Sequence, residues 1–181
     1  MNVENLIKRL QAKEEQAFKE LVFAYSKKLM SIARLYGKSM QEAQDNLQDT
    51  FVVVFDKIKE FRGKSEGQLF AWMKQILIYK SLTKNQKKYN HVEYSLENAS
   101  EKTNLDPDAI SQLTHKEIIS IVYTLPSGYR EVFALYAIEG YSHKEIGVKM
   151  GIAESSSRSQ YSRAKKILQK KIKELSKVYL K

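Results

Sequence analysis

The chain has 181 residues, 31 Lys and Arg against 21 Asp and Glu, and a formal net charge of +10. It is long enough to bury one or two cores, and with no cysteine it excludes disulfides and thiolate metal sites. No apolar run approaches the ~20 residues that span a bilayer, and the polar, amphipathic start MNVENLIKRL reads as no signal peptide. Two prolines and seven glycines leave long periodic segments, so a cytoplasmic, all-α protein is expected.

In chain order, apolar spacing predicts helix from about Glu4 to Tyr36 with a break near Ala12–Glu14, its stripe formed by Phe18, Leu21, Val22, Tyr25, Leu29 and Ile32. A second helix is predicted from about Met40 to Glu60, with Leu47, Phe51, Val54 and Ile58 turned inward. No Lys or Arg occurs between Lys38 and Lys57, and Glu42, Asp45, Asp49 and Asp56 share the face opposite that stripe. An acidic face on a net-basic domain suits docking on a basic protein surface; a plain solvated face is the alternative. A metal-carboxylate site would need Glu-x-x-His pairs that are missing here, so no metal and no cofactor are expected.

The segment FRGKSEG, Phe61–Gly67, reads as a loop. A third helix is predicted over about Gln68–Lys88, with Leu69, Met73, Ile76, Leu77 and Lys80 inside and Trp72, Gln75, Tyr79, Thr83 and Gln86 along a neighbouring face. Loop and helix mix aromatics with cations (Phe61, Arg62, Lys64, Phe70, Trp72, Tyr79, Lys80, Lys84, Lys87), the combination that unstacked bases need. Phe70 and Trp72 also read as partly core, which leaves Phe61, Arg62 and Lys64 as the better nucleotide contacts.

Residues 91–106 are polar and patternless, and read as a linker between domains at 1–90 and 107–181. The first domain has 17 basic against 10 acidic residues, the linker 1 against 4, and the second domain 13 against 7. Two basic blocks around an acidic spacer argue for two surfaces meeting one polyanion. Asp106–Pro107 offers a cap and a first helical position, and helices are predicted at about 107–124, 127–138, 143–149 and 154–176.

The last two of these make a helix-turn-helix. Gly140 ends the preceding helix in a left-handed conformation, Ser142 and Glu145 form a capping box, and Gly151 makes the turn. Ile146, Met150 and Ile152 are expected to pack the short helix. On the long one, Tyr161, Ala164, Leu168, Ile172 and Leu175 are expected inward, with Ser159, Arg163, Lys166, Lys170, Lys173 and Lys177 opposite. Ser155, Ser156, Arg158, Ser159, Gln160 and Arg163 at its start suit base edges and phosphates. A helical hairpin with a solvated lysine face is the alternative.

Together these residues resemble the extracytoplasmic-function (group IV) sigma factors of bacterial RNA polymerase, in the sigma-70 superfamily, over nearly the whole chain. AQDNLQDTFVVVFDKIKEF is similar to region 2.2 and FAWMKQI to region 2.3. LPSGYREVFALYAIEGYSHKEIG with SSSRSQYSRAK is similar to region 4, in a variant like that of Bacteroidetes. The resemblance implies that Glu42, Asp45, Gln48 and Asp49 bind the clamp helices of the polymerase β′ subunit. It implies that Phe61, Arg62, Lys64 and Ser65 hold a flipped base of the −10 element, with Trp72, Tyr79, Lys80, Lys84 and Lys87 beside it. Ser155, Ser156, Arg158, Ser159, Gln160, Arg163 and Lys166 would read the −35 element. A monomeric non-enzyme is implied, with core polymerase (β′ clamp helices and β flap), promoter DNA and an anti-sigma factor as partners.

Some positions depart from the family. Tyr79, Thr83 and Gln86 replace the usual Asn, Asp and Arg. Ala153 stands where a capping Ser or Thr is usual, so Ser155 is expected to cap instead. Ser157 sits inward, where its hydroxyl needs a local backbone partner. Gly147 costs about 1 kcal/mol of helix propensity unless close packing compensates. A stand-alone helix-turn-helix regulator with a helical dimerisation domain is the second reading.

Overall fold

In the computed structural model the described residues are 2–89 and 115–179, with 85–89, 115–116 and 176–179 described by backbone alone. The expected linker at 91–106 and the helix start at Asp106–Pro107 lie outside them. The described residues are helical without strands: α1 (Val3–Gln11), α2 (Glu15–Tyr36), α3 (Met40–Lys57), α4 (Glu66–Tyr89), α5 (His115–Tyr123), α6 (Ser127–Phe133), α7 (His143–Met150) and α8 (Glu154–Tyr179). The chain forms two compact units, Met1–Asn85 and Gln86–Lys181. None of the described helices is long and apolar enough to cross a membrane.

In the first unit the break between α1 and α2 falls where it was expected, around Lys13 in the left-handed region (φ 61°). Asn2 starts α1 by accepting the Asn5 amide at 3.2 Å. Across the turn the Arg9 guanidinium bridges Glu14 (2.6 Å) and Glu20 (3.0 Å), which holds the Glu14 carboxyl below its ordinary range. Ser39 caps α3 by accepting the Glu42 amide at 3.1 Å, and the Glu42 carboxylate accepts the Lys38 amide at 2.7 Å. The helix then tightens into a 3₁₀ turn, Ile58–Glu60. Leu6, Leu21, Tyr25, Leu29, Val54, Leu69, Met73 and Leu77 are all buried in one apolar core, the term that dominates its stability.

Helix α4 begins at Glu66, two residues sooner than the loop reading predicts. The cause is a capping arrangement at Ser65, whose hydroxyl accepts the Gln68 amide at 3.3 Å. The Gln68 side-chain oxygen in turn accepts the amides of Lys64 (2.8 Å) and Ser65 (3.2 Å).

In the second unit α6 passes into a single π-helical stretch, Ala134–Ile138, that ends at Gly140 (φ +78°). The core holds Ile121, Leu125, Val132, Leu135, Ile146, Met150, Ala164, Leu168 and Ile172. Arg130 is buried among them and donates to the carbonyls of Tyr123 (3.2 Å) and Leu125 (2.9 Å). Those groups, at and beyond the end of α5, would otherwise lack partners.

Candidate nucleic-acid and polymerase interfaces

The α7–α8 pair is built as its punctuation predicts. Glu145 donates its amide to the Ser142 hydroxyl (3.3 Å), and its carboxylate accepts both the Ser142 amide (2.8 Å) and hydroxyl (2.7 Å). These bonds keep the Glu145 carboxyl charged below its ordinary range. Gly151 takes the turn at φ 69°. Gly147 lies so close to that turn that a Cβ there would stand 2.8 Å from the Ile152 carbonyl. Close approach of the backbone is therefore the compensation for its poor helix propensity.

Three expectations for α8 change. Its inward stripe runs Ser157, Gln160, Ala164, Leu168, Ile172. Gln160, expected at a base edge, is 7% exposed and faces the interior. Tyr161, expected fully inside, is half-buried and packs on Phe133 (ring centroids 6.0 Å apart) and Tyr136 (4.5 Å). The pull on this phase comes from Ser157, whose hydroxyl meets His143 Nδ1 at 2.9 Å in a buried side-chain pair rather than a local backbone bond. The His143 ring also stacks on Tyr136 at 4.3 Å. Burial, with the charge of Arg158, pushes its pKa down. Helix α8 has no side-chain cap from Ser155; its first turn closes backbone to backbone, the Ser157 amide donating to Ala153 at 3.1 Å.

The outward side of α8 presents Ser155 and Arg158 as exposed groups, with Ser156, Ser159, Arg163 and Lys166 half-buried beside them. Arg158 is ion-paired along the helix to Glu154 at 2.5 Å. Arg163 donates to the Tyr129 hydroxyl at 3.3 Å, which holds the guanidinium over α6.

In the first unit α3 turns Asp45 and Gln48 fully outward and Glu42 and Asp49 partly so. Asp45 accepts from Gln41 at 3.3 Å, while Glu42 closes the helix start as described above. Sequence reading missed the apolar part of this face: Val52 (60% exposed) and Phe55 (38% exposed) continue the row at helical spacing. The ring of Phe55 meets Phe18 edge-on at 5.1 Å and carries the Lys13 ammonium at 4.2 Å.

The loop and α4 divide differently from expectation. Phe61 is 8% exposed, its ring against Trp72 at 5.0 Å, so it is a core residue and its ring is not free to stack on a base. Arg62, Lys64 and Ser65 are exposed, with Arg62 donating to the Lys59 carbonyl at 2.9 Å. Trp72 and Lys80 are half-buried and Tyr79 is 70% exposed, while the Thr83 hydroxyl bonds back to the Tyr79 carbonyl at 2.8 Å. Lys84 makes an ion pair with Asp49 at 2.7 Å, joining α4 to the acidic row of α3. The side chains of Gln86 and Lys87 lie outside the described residues. Among the described residues no three His, Asp or Glu gather to hold a metal.

The family model for sigma-70 region 4 matches residues 115–168, from α5 into α8. The ECF RNA polymerase sigma-E factor of Haemophilus influenzae is 24% identical over 182 residues, covering 94% of this chain and 95% of that protein. The RNA polymerase sigma-H factor of Pseudomonas aeruginosa is 24% identical, covering 95% and 94%. Among solved structures, CnrH in complex with the cytosolic domain of CnrY is 22% identical, with a TM-score of 0.48 and coverage of 96% and 98%. The chain is a sigma factor of the sigma-70 family, with a role alongside RNA polymerase in transcription initiation. Within that family it is of the extracytoplasmic-function type.

Proposed function

We propose that the protein docks on core RNA polymerase through α3 and gives it promoter specificity through two DNA-contacting surfaces. Asp45, Gln48 and Asp49, with Val52 and Phe55, form the docking face for the β′ clamp helices, charge steering the encounter and the apolar pair adding buried area. Arg62, Lys64 and Ser65, with Trp72, Tyr79, Lys80, Lys84 and Lys87, take the −10 element as its strands part. Ser155, Ser156, Arg158, Ser159, Arg163 and Lys166 read the −35 element; Gln160 supports α8 from within. In this reading residues 1–90 are region 2, 91–106 the linker and 107–181 region 4, the last also meeting the β flap.

The protein performs no bond chemistry. Binding to single-stranded bases drives melting, and base extrusion costs a few kcal/mol that pocket contacts offset. It acts in the cytoplasm as a group IV member of the Bacteroidetes-like kind, is monomeric when free, and is held in check by an anti-sigma protein that covers these faces.

The observation that carries the reading is α8, whose start turns Ser155 and Arg158 outward behind a capped, glycine-turned helix. The test is run-off transcription by core polymerase with the purified chain, comparing intact and altered −35 sequences. Arg158→Ala should weaken −35 binding by about 1–3 kcal/mol if the guanidinium meets a base. Equal transcription from intact and altered promoters would overturn the assignment of α8.

A further inference from the structure

Against the loop of the first unit lies a cavity of about 240 Å³ that has a second wall. Arg62, Gly63 and Lys64 line one side, and Glu4, Lys8 and Gln11 of α1 line the other. The Gln11 side-chain amide holds the two walls together by donating to the Phe61 carbonyl at 2.9 Å. Its apolar part is the edge of Phe61, backed by Trp72 at 5.0 Å. Gly63 leaves this surface open: a Cβ there would come within 2.4 Å of the Phe61 ring.

The chemistry of the α1 wall points to its occupant. Glu4 and Lys8 stand one helical turn apart, both exposed, so an acceptor and a donor lie side by side. Neither is engaged in an ion pair or side-chain hydrogen bond among the described residues. The volume is below that of drug-sized pockets and suits one flat heterocycle. Cations at the mouth suit the phosphates on either side of it.

We propose that α1 is half of a base pocket, which rests on the reading of the loop as the −10 contact. Glu4 accepts from the exocyclic amine of an extruded base and Lys8 donates to the adjacent ring nitrogen. Gln11 is a positioning residue that keeps the loop at the right distance. The pair matches cytosine or adenine, whose pairing edges carry an amine beside an acceptor, and mismatches thymine, which offers a carbonyl beside an N–H.

The test uses the full chain bound to core polymerase and a fluorescent, pre-melted −10 DNA in which each non-template base is removed in turn. With the unaltered protein, removal at one position should lower affinity about tenfold, as expected for a good base contact. Replacing cytosine or adenine by thymine there should do nearly the same. In the double variant Glu4→Ala, Lys8→Met this sensitivity should vanish, with Trp72 fluorescence unchanged as the check on folding. Glu4→Gln should lose only the preference against thymine. If the unaltered protein responds to no single position, the loop reading falls and this inference with it. If it responds and the double variant responds equally, the α1 wall alone is overturned.

Discussion

In the first unit, long helices close over Leu21, Leu29, Met73 and Leu77, and the charged groups stay at the rim, as in the Arg9–Glu14–Glu20 cluster. In the second, the junction of α7 and α8 is organised around a buried polar pair, His143 and Ser157, and two glycine-dependent approaches at Gly147 and Gly151. The first unit's rigidity therefore answers chiefly to side-chain volume. That of the second answers also to protonation and to backbone clearance. Conditions that leave one intact should loosen the other.

The largest effect expected is on assembly. Asp45→Arg with Asp49→Arg should abolish co-elution with core polymerase in gel filtration while Trp72 fluorescence stays native; undiminished co-elution would remove α3 as the docking face. Next comes volume: Leu29→Ala should destabilise the first unit by about 2–5 kcal/mol. Denaturant unfolding followed through Trp72, the sole tryptophan, measures this, and amide exchange in α7 and α8 should not change with it. Equal loosening of both units would erase the contrast drawn above.

Backbone clearance ranks third. Gly147→Ala sets a methyl 2.8 Å from the Ile152 carbonyl and should cost about 1–3 kcal/mol, seen as faster amide exchange in the second unit only. Smallest is the pH effect. The folded pKa of His143 lies below the ordinary 6.5, so the neutral ring's contribution is fully present above that value. It is lost as pH falls from there through the lowered folded value. Amide protection of α7 and α8 should decline between neutral and mildly acidic pH while Trp72 reports no change. His143→Gln should flatten the slope, and an unaltered slope would point to another group.

What could be read from the chain was whatever local chemistry decides. The break at Ala12–Glu14, the Ser142/Glu145 box and the left-handed Gly140 and Gly151 each depend on a few neighbouring residues. The phase of α8 was not legible, because the Ser157 hydroxyl finds its partner 14 residues away, on a helix whose placement periodicity does not give. Phe61 misled for a similar reason. A loop aromatic beside arginine reads as exposed until Trp72 is seen to lie against it, and Gln11 holds the loop from a helix 50 residues earlier. Val52 and Phe55 were overlooked because a search for charge passes over the apolar residues between.

The Lys84–Asp49 bond spans the two faces of the first unit, one assigned to enzyme and one to promoter. A cation arriving at Asp49 must displace the lysine, which is then left without its counter-charge and better able to take a phosphate. Thermodynamic reciprocity requires the converse: nucleic acid that engages the amine first leaves the carboxylate bare for the enzyme. Since an exposed pair is worth at most about 1 kcal/mol, this mutual encouragement amounts to no more than about fivefold.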